Sequence, residues 1–223
     1  WHEQLQEFGN TYFAVAPDLR GFNLSDQPSD VSAYRPKLLT QDVEQLIAHL
    51  GYESCILVAH DWGAVIAWVV AMRRAVDLDG LIVMNVPHPT VFGELISHYR
   101  PQQLKSWYVA FFQLPWLPEF LLRQNRADGI AKAFLNMAID KGAFPPHVLE
   151  EYRKNALISG ALTAMINYYR ANLKILEETS PPIDVPTLML WGEEDTALDI
   201  KLTEGYGPHV QDFTLVRFPN VSH

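Results

Sequence analysis

Ala59-His60-Asp61-Trp62-Gly63-Ala64 is the stretch on which the reading of this chain turns. Ser54 to Ala59, just before the turn, is a continuous apolar run of the kind found in strands buried on both faces. Gly63 to Arg74, just after it, reads as an apolar, buried helix. The junction is therefore a tight strand-to-helix turn with small residues, Ala59 and Gly63, two before and two after Asp61. Small residues let the two chain segments pass, and the middle residue is held in a strained backbone conformation. Its side chain projects above the sheet beside the positive end of the helix. An aspartate before a helix is, in isolation, most simply its N-cap. The small flanking residues and the partners further along the chain favour a nucleophile. A carboxylate displaces at an sp³ carbon to give an alkyl ester and is a poor reagent for attacking esters or amides. The expected chemistry is therefore epoxide opening or halide displacement, with the Trp62 amide donating to an oxyanion.

Working outward, Trp1 to Phe8 reads as the end of a helix stopped by Gly9-Asn10, and Tyr12 to Ala16 as a short strand bounded by Pro17. Asp18 to Pro28 is a turn-rich loop. Thr40 is a good N-cap for an amphipathic helix through Leu50, with Gly51 as its stop. Leu81 to Asn85 is the next strand. From about Pro87 to Pro182 the alternation gives way to helical, aromatic-rich sequence broken by prolines. It resumes with a strand at Thr187 to Trp191, a helix from about Asp199, and a strand from Phe213 to Phe218. Strand and helix alternating on both sides of a helical block specify an α/β fold, a mostly parallel sheet with a helical insertion. The domain organisation expected is a core formed by residues 1–86 and 183–223, with a helical lid over 87–182.

The bulk properties narrow the classes of partner. The 223 residues are 48% hydrophobic and 19% charged, enough for a sizeable core. The net charge of −9 argues against nucleic acid, whose phosphates demand Lys and Arg, and against anionic membrane surfaces. The single cysteine, Cys55, excludes an internal disulfide and suits a reducing compartment such as the cytoplasm. No apolar run reaches the roughly 18 residues needed to span a bilayer.

Two further residues complete a catalytic order. Trp191-Gly192-Glu193-Glu194-Asp195 follows the next-to-last strand, and a carboxylate there would orient a histidine; Asp195 is preferred over Glu193 and Glu194. His223 follows the last strand, after Pro219-Asn220-Val221-Ser222. The order nucleophile, acid, base is that of the α/β-hydrolases. The other histidines lack metal-ligand spacing such as HExxH, and His60 and His88 are expected in structural or lining roles. The chemistry calls for no cofactor or metal.

These residues carry a family resemblance over essentially the whole chain. His60-Asp61-Trp62-Gly63 resembles the elbow of the epoxide hydrolases. Asp18-Leu19-Arg20-Gly21-Phe22-Asn23-Leu24-Ser25-Asp26 looks like the loop after their fourth strand, and Asn85-Val86-Pro87-His88-Pro89 like the stretch leading into their lid. The family uses two lid tyrosines to hold and protonate the epoxide oxygen. Trp107-Tyr108-Val109-Ala110-Phe111-Phe112-Gln113 is similar to the first tyrosine motif and Ile166-Asn167-Tyr168-Tyr169-Arg170 to the second. The motif's tyrosine directly precedes arginine, so the resemblance implies Tyr108 and Tyr169. Read without it, both tyrosines are ordinary packing or surface residues. The resemblance further implies an ester on Asp61, hydrolysed by a water that His223 activates with Asp195 behind it. The partners implied are a small apolar epoxide and water, with Trp107, Phe111, Phe112 and Trp116 lining an apolar substrate pocket.

The nearest rival is a haloalkane or haloacid dehalogenase, which shares the Asp, the His and the ester. Trp62 does not separate the two, because some dehalogenases hold halide with a tryptophan there; the paired tyrosines favour the epoxide. A non-catalytic ligand-binding relative is opposed by the intact Asp61, Asp195 and His223 set, and a serine esterase by the absence of an elbow serine. The sequence also departs from the family. It lacks the His-Gly-x-Pro loop, which would supply a second oxyanion amide, and a closing helix after His223. In the family the third strand lies between the fourth, here Tyr12 to Ala16, and the fifth, Ser54 to Ala59. The first three strands being missing, those two are expected to flank an empty slot or to pair abnormally, leaving a fragment unstable on its own.

Overall fold

The computed structural model describes residues 1–173 and 181–223. Four strands, β1 (Ser54–His60), β2 (Asp77–Met84), β3 (Thr187–Gly192) and β4 (Phe213–Phe218), form one sheet in the order β1-β2-β3-β4. Every neighbouring pair is parallel. His60 lies beside Met84, Met84 beside Leu190, and Gly192 beside Phe218, so the carboxyl ends of all four strands form one rim. Helices α1 (His2–Phe8), α2 (Pro36–His49) and α3 (Trp62–Arg73) precede β2. Between β2 and β3 come α4 (Pro89–His98), α5 (Arg100–Lys105), α6 (Trp107–Phe111), α7 (Leu117–Met137), α8 (Pro146–Leu157) and α9 (Ala161–Ala171). The part of the expected lid at residues 174–180 lies outside the described residues.

α3 is the hub of the core. Ala64 and Ile66 through Met72 are all buried, as a helix apolar on every side must be. Trp68 packs among Leu81, Val83, Met189 and Trp191, and its indole N–H donates to the Val86 carbonyl at 3.1 Å. On the other side Ile66 and Val70 meet Tyr34, Leu39, Ala164 and Tyr168, which joins α9 to the sheet domain. Gly21 sits at that junction with φ +88, where a Cβ would come within 3.0 Å of Ala164 and Tyr34.

Three expectations are corrected. Tyr12 to Ala16 forms no strand, and Tyr12, Phe13 and Val15 are exposed. Its β-prone residues find no partner ladder; the ring of Phe13 stacks on Tyr52 instead, 5.6 Å between centroids. Among the described residues β1 is consequently an edge strand, with Ile56 and Val58 exposed. α2 begins at Pro36 rather than after Thr40: proline is suited to the first turn of a helix, and Thr40 falls inside it, buried. The helix expected from Asp199 is a single 3-10 turn, Ile200–Thr203, which ends just before Gly205 at φ +82.

Gly192, the last residue of β3, is a place where only glycine fits. A Cβ there would lie 2.5 Å from the Ser222 carbonyl oxygen and 2.6 Å from that of Val221. The loop after β4 thus crosses directly over the end of β3, and the Glu194 amide donates to the Val221 carbonyl at 2.9 Å. Gly192→Ala is expected to cost about 1–3 kcal/mol through overpacking against backbone that cannot yield. Denaturant unfolding checks this.

Beneath the rim His88 is buried between Trp68 and His209, with ring centroids at 5.2 and 5.1 Å. Burial, helped by His209, lowers its pKa to about 4. The unfolded chain takes up this proton near pH 6.5 and the folded chain resists it, so stability should fall from about pH 6.5 down to about 4. The slope of unfolding free energy against pH in that window should be shallower in His88→Asn, which keeps an acceptor for the Thr90 amide.

Candidate active site

Asp61 joins β1 to α3 with φ 49 and ψ −131, outside the regions open to ordinary L-residues. Its side chain makes no cap hydrogen bond. The simple N-cap role therefore does not describe it: a capping residue sits in the β region and accepts from the first helical amides. The carboxylate instead forms part of the wall of a cavity of about 140 Å³ at the sheet rim. The steric rule inferred for the turn holds on one side only. Ala59 is buried, but a Cβ on Gly63 would meet no heavy atom within 4 Å.

Asp195 lies in the loop after β3 and is 4% exposed, whereas the neighbouring Glu193 and Glu194 are exposed. Its Oδ1 accepts from the amides of Ala197 and Leu198, each at 2.8 Å. Its Oδ2 lies 2.7 Å from His223 Nδ1 and accepts from Asn85 Nδ2 at 2.8 Å. Burial pushes this carboxyl up, but His223, the Leu198 amide and Asn85 outweigh it, and the net shift is downward. The His223 imidazole shows the converse. Burial favours its neutral form, yet the hydrogen bond to Asp195, the charge of Asp195 and that of Asp61 raise its pKa above the ordinary value. His60 packs against the His223 ring at 4.6 Å, and burial first, then His223, lowers its pKa.

Tyr108, on α6, and Tyr169, on α9, meet edge to face with centroids 5.8 Å apart and share the cavity wall with Asp61. Both phenols have pKa values raised by burial and then by the negative charge of Asp61. Tyr168 is placed differently. Its hydroxyl donates to the Arg20 carbonyl at 2.6 Å, and its ring packs against Tyr34, Phe22 and Trp62.

The aromatic lining expected from sequence is corrected. The cavity wall is made by Val65, Val86, Pro87, Pro89, Phe92, Val109 and Leu198, together with Trp62. Trp107 and Trp116 are 65% and 71% exposed. Phe111 and Phe112 stay out of the wall: Phe112 packs on the tyrosines, 4.8 Å from Tyr169 and 5.9 Å from Tyr108, and Phe111 packs on Phe112 at 5.7 Å. The five-residue helix α6 brings Tyr108 to the wall, while Trp107 and Phe111 pair with each other at 6.0 Å between centroids.

Sequence reasoning overlooked Asn85. It is buried at the end of β2 with φ 49, receives the Gly192 amide on Oδ1 at 2.9 Å and donates from Nδ2 to both Gly192 O and Asp195. An asparagine closing a buried apolar strand is the available signal, since asparagine tolerates left-handed backbone. Among the described residues no group of three or more His, Cys, Asp or Glu is arranged to hold a metal. No helix among them is long and apolar enough to cross a membrane.

Comparison with known proteins agrees with this architecture. A family model of the alpha/beta hydrolase fold matches residues 1–223. The chain is 38% identical to Epoxide hydrolase 3 of Xenopus tropicalis, covering all of this chain and 62% of that protein. It is 36% identical to human Epoxide hydrolase 4, again over all of this chain and 63% of the relative. The chain thus spans somewhat less than two thirds of the length of these relatives. Its structure resembles that of an epoxide hydrolase from Bacillus megaterium with a TM-score of 0.91 and 32% identity, covering 100% of this chain and 81% of the other. The chain belongs to the α/β-hydrolase fold family and, within it, to the epoxide hydrolases.

Proposed function

We propose that this protein opens a small apolar epoxide to a vicinal diol. The observation that carries the reading is the cavity itself: a carboxylate on a strained elbow, free of capping, shares one mostly apolar wall with two half-buried phenols. The raised phenol pKa values keep both O–H groups protonated and so available as donors to an oxygen that gains negative charge.

In the first half-reaction an Asp61 oxygen attacks an epoxide carbon. The carbon–oxygen bond of the ring breaks, and the departing oxygen takes a proton from the Tyr108–Tyr169 pair. In the second half-reaction His223 removes a proton from water, and the hydroxide adds to the ester carbonyl of Asp61. Trp62 opens α3, where backbone amides have no intrahelical acceptor, so its N–H is the donor to the oxyanion. Collapse releases the diol oxygen, which takes the proton from His223. The proton left on the Asp61 carboxyl restores the phenol, and the sum is epoxide plus water to diol. Asp195 keeps His223 in one tautomer and stabilises its charged form.

Incubating the full-length protein with styrene oxide and, separately, with a chloroalkane tests the assignment. Diol without halide release is expected; halide release with no diol would make it a dehalogenase. His223→Gln should stop turnover after the first half-reaction and leave the protein heavier by one substrate, visible in its intact mass, while Asp61→Asn should gain no mass. Because His223 works as a base and its pKa is raised, ester hydrolysis should fall as pH drops through a value above 6.5. Asp195→Asn removes the largest upward cause and should move that limb to lower pH while slowing hydrolysis.

The tyrosines act in the other half. Replacing either Tyr108 or Tyr169 by Phe should slow ester formation about 10²- to 10⁴-fold, the usual worth of a positioned acid, with ester hydrolysis little changed. Replacing both should nearly abolish ring opening. Rapid-quench measurement of the two steps distinguishes these outcomes, and full activity in the double variant would eliminate the epoxide reading.

A further inference from the structure

Tyr108 stands on a helix that cannot hold itself. α6 has five residues, Trp107–Phe111, far below the length at which a helix is stable in water. The turn that follows it closes the Tyr108, Ala110 and Phe111 carbonyls with the amides of Phe112, Gln113 and Leu114. Arg170, the residue after Tyr169, holds that turn in place: its Nε donates to the Phe112 carbonyl at 3.0 Å and its Nη2 to the Leu114 carbonyl at 2.7 Å. The same guanidinium is gripped by Glu119 near the start of α7, Nη1 to Oε1 at 2.6 Å and Nη2 to Oε2 at 3.2 Å. Both side chains are largely buried, 15% and 18% exposed. Gln113 adds a parallel tie, donating to the Val109 carbonyl at 3.0 Å and to that of Tyr169 at 3.4 Å. One guanidinium thus joins the turn that closes the Tyr108 helix, the start of the next helix and the Tyr169 helix.

We infer that Arg170, clamped by Glu119, is a positioning residue that sets Tyr108 against Tyr169 and so controls the ring-opening half of the reaction. This rests on the epoxide reading above. Three separate acceptors are met at once only by a planar fork of five N–H donors; a lysine ammonium, compact and strongly hydrated, cannot replace it. The inference separates the two half-reactions. Arg170 contacts neither Asp195 nor His223, whose partners come from β2, the loop after β3 and the end of the chain. Loosening the brace should therefore misplace the acid without disturbing the base.

The test is single-turnover kinetics with styrene oxide in the full-length protein carrying Arg170→Met, Arg170→Lys or Glu119→Gln. Ester formation should slow about 10- to 100-fold in both Arg170 variants, as a misplacement of about 1 Å does. It should slow less in Glu119→Gln, which keeps an acceptor, and in all three the ester should hydrolyse at the original rate. Combining Arg170→Met with Tyr169→Phe should cost little more than Tyr169→Phe alone, because Arg170 acts through the phenols. Equal slowing of both steps, or additive losses in the double variant, would overturn the inference and leave Arg170 a structural ion pair. If Arg170→Met proves too unstable to purify, the same two readouts in Glu119→Gln decide the matter. Absence of any ester in the unaltered protein would overturn the epoxide reading and the inference with it, whereas an ester that forms at the normal rate in Arg170→Met would overturn the inference alone.

Discussion

Taking an ionised carboxylate out of water costs several kcal/mol unless its oxygens are fully met, and the Asp195 carboxylate is almost completely buried. Everything at the sheet rim follows from how that demand is answered. One oxygen takes two amides from its own loop, and the other takes Asn85 from the end of β2 and His223 from beyond β4. Three separate parts of the chain are thereby brought to one atom group. Gly192 makes the arrangement sterically feasible, because only a residue without Cβ lets the chain carrying Val221 and Ser222 pass over the end of β3. The pKa directions record the result: the acid is held ionised despite burial, and the histidine beside it binds a proton more readily than a free one.

Two electrostatic environments meet at the cavity. On the sheet side, Asp61 stands at the positive end of α3, and its charge adds to that of Asp195 in raising the pKa of His223. On the helical side, burial and the nearness of that same charge keep Tyr108 and Tyr169 as neutral donors. The pairing of an anion with neutral acids, in a space walled by Val, Pro, Leu and Phe, suits a reaction in which charge moves from carboxylate to a departing oxygen. The two sides are secured independently. The acid–base pair hangs on the sheet, the tyrosines on the short helices and on the Arg170 brace. In the proposed mechanism that separation makes the chemical steps individually addressable by substitution.

The positions proposed as nucleophile, acid and base were legible from sequence because each is tied to an element end that local pattern reveals. An apolar strand running into an apolar helix marks Asp61, and the ends of the last two strands mark Asp195 and His223; the full burial expected of that first strand is not found, since Ile56 and Val58 on β1 are exposed. The choice of Asp195 among three adjacent carboxylates was made in the chain but is explained only in the fold, where Glu193 and Glu194 turn to solvent. The preference for Tyr169 over Tyr168 likewise came from a motif. Its physical basis is that consecutive helical residues point about 100° apart, so one enters the cavity while the other bonds the Arg20 carbonyl.

Hydrophobic period and residue type are local properties, and they determined the α/β alternation, the parallel strands flanking a helical block, and the residues that close each strand. What lines the cavity is a property of distant surfaces meeting, and there local reading failed: aromatic residues near Tyr108 were taken for the wall, while α6 turned Trp107 outward and left the wall to Val86, Pro87, Pro89 and Leu198. Strand formation at Tyr12 to Ala16 failed for the same reason, since a β-prone segment becomes a strand only where a partner offers its backbone. Asn85 shows locally only that it closes an apolar strand, and Arg170 shows nothing of its purpose, because each answers buried backbone or charge belonging to segments distant in the chain. Sequence alone determined the fold class and the element ends on which the proposed chemistry rests; tertiary structure decided which side chains surround them, because burial and hydrogen-bond satisfaction depend on neighbours that the chain order does not name.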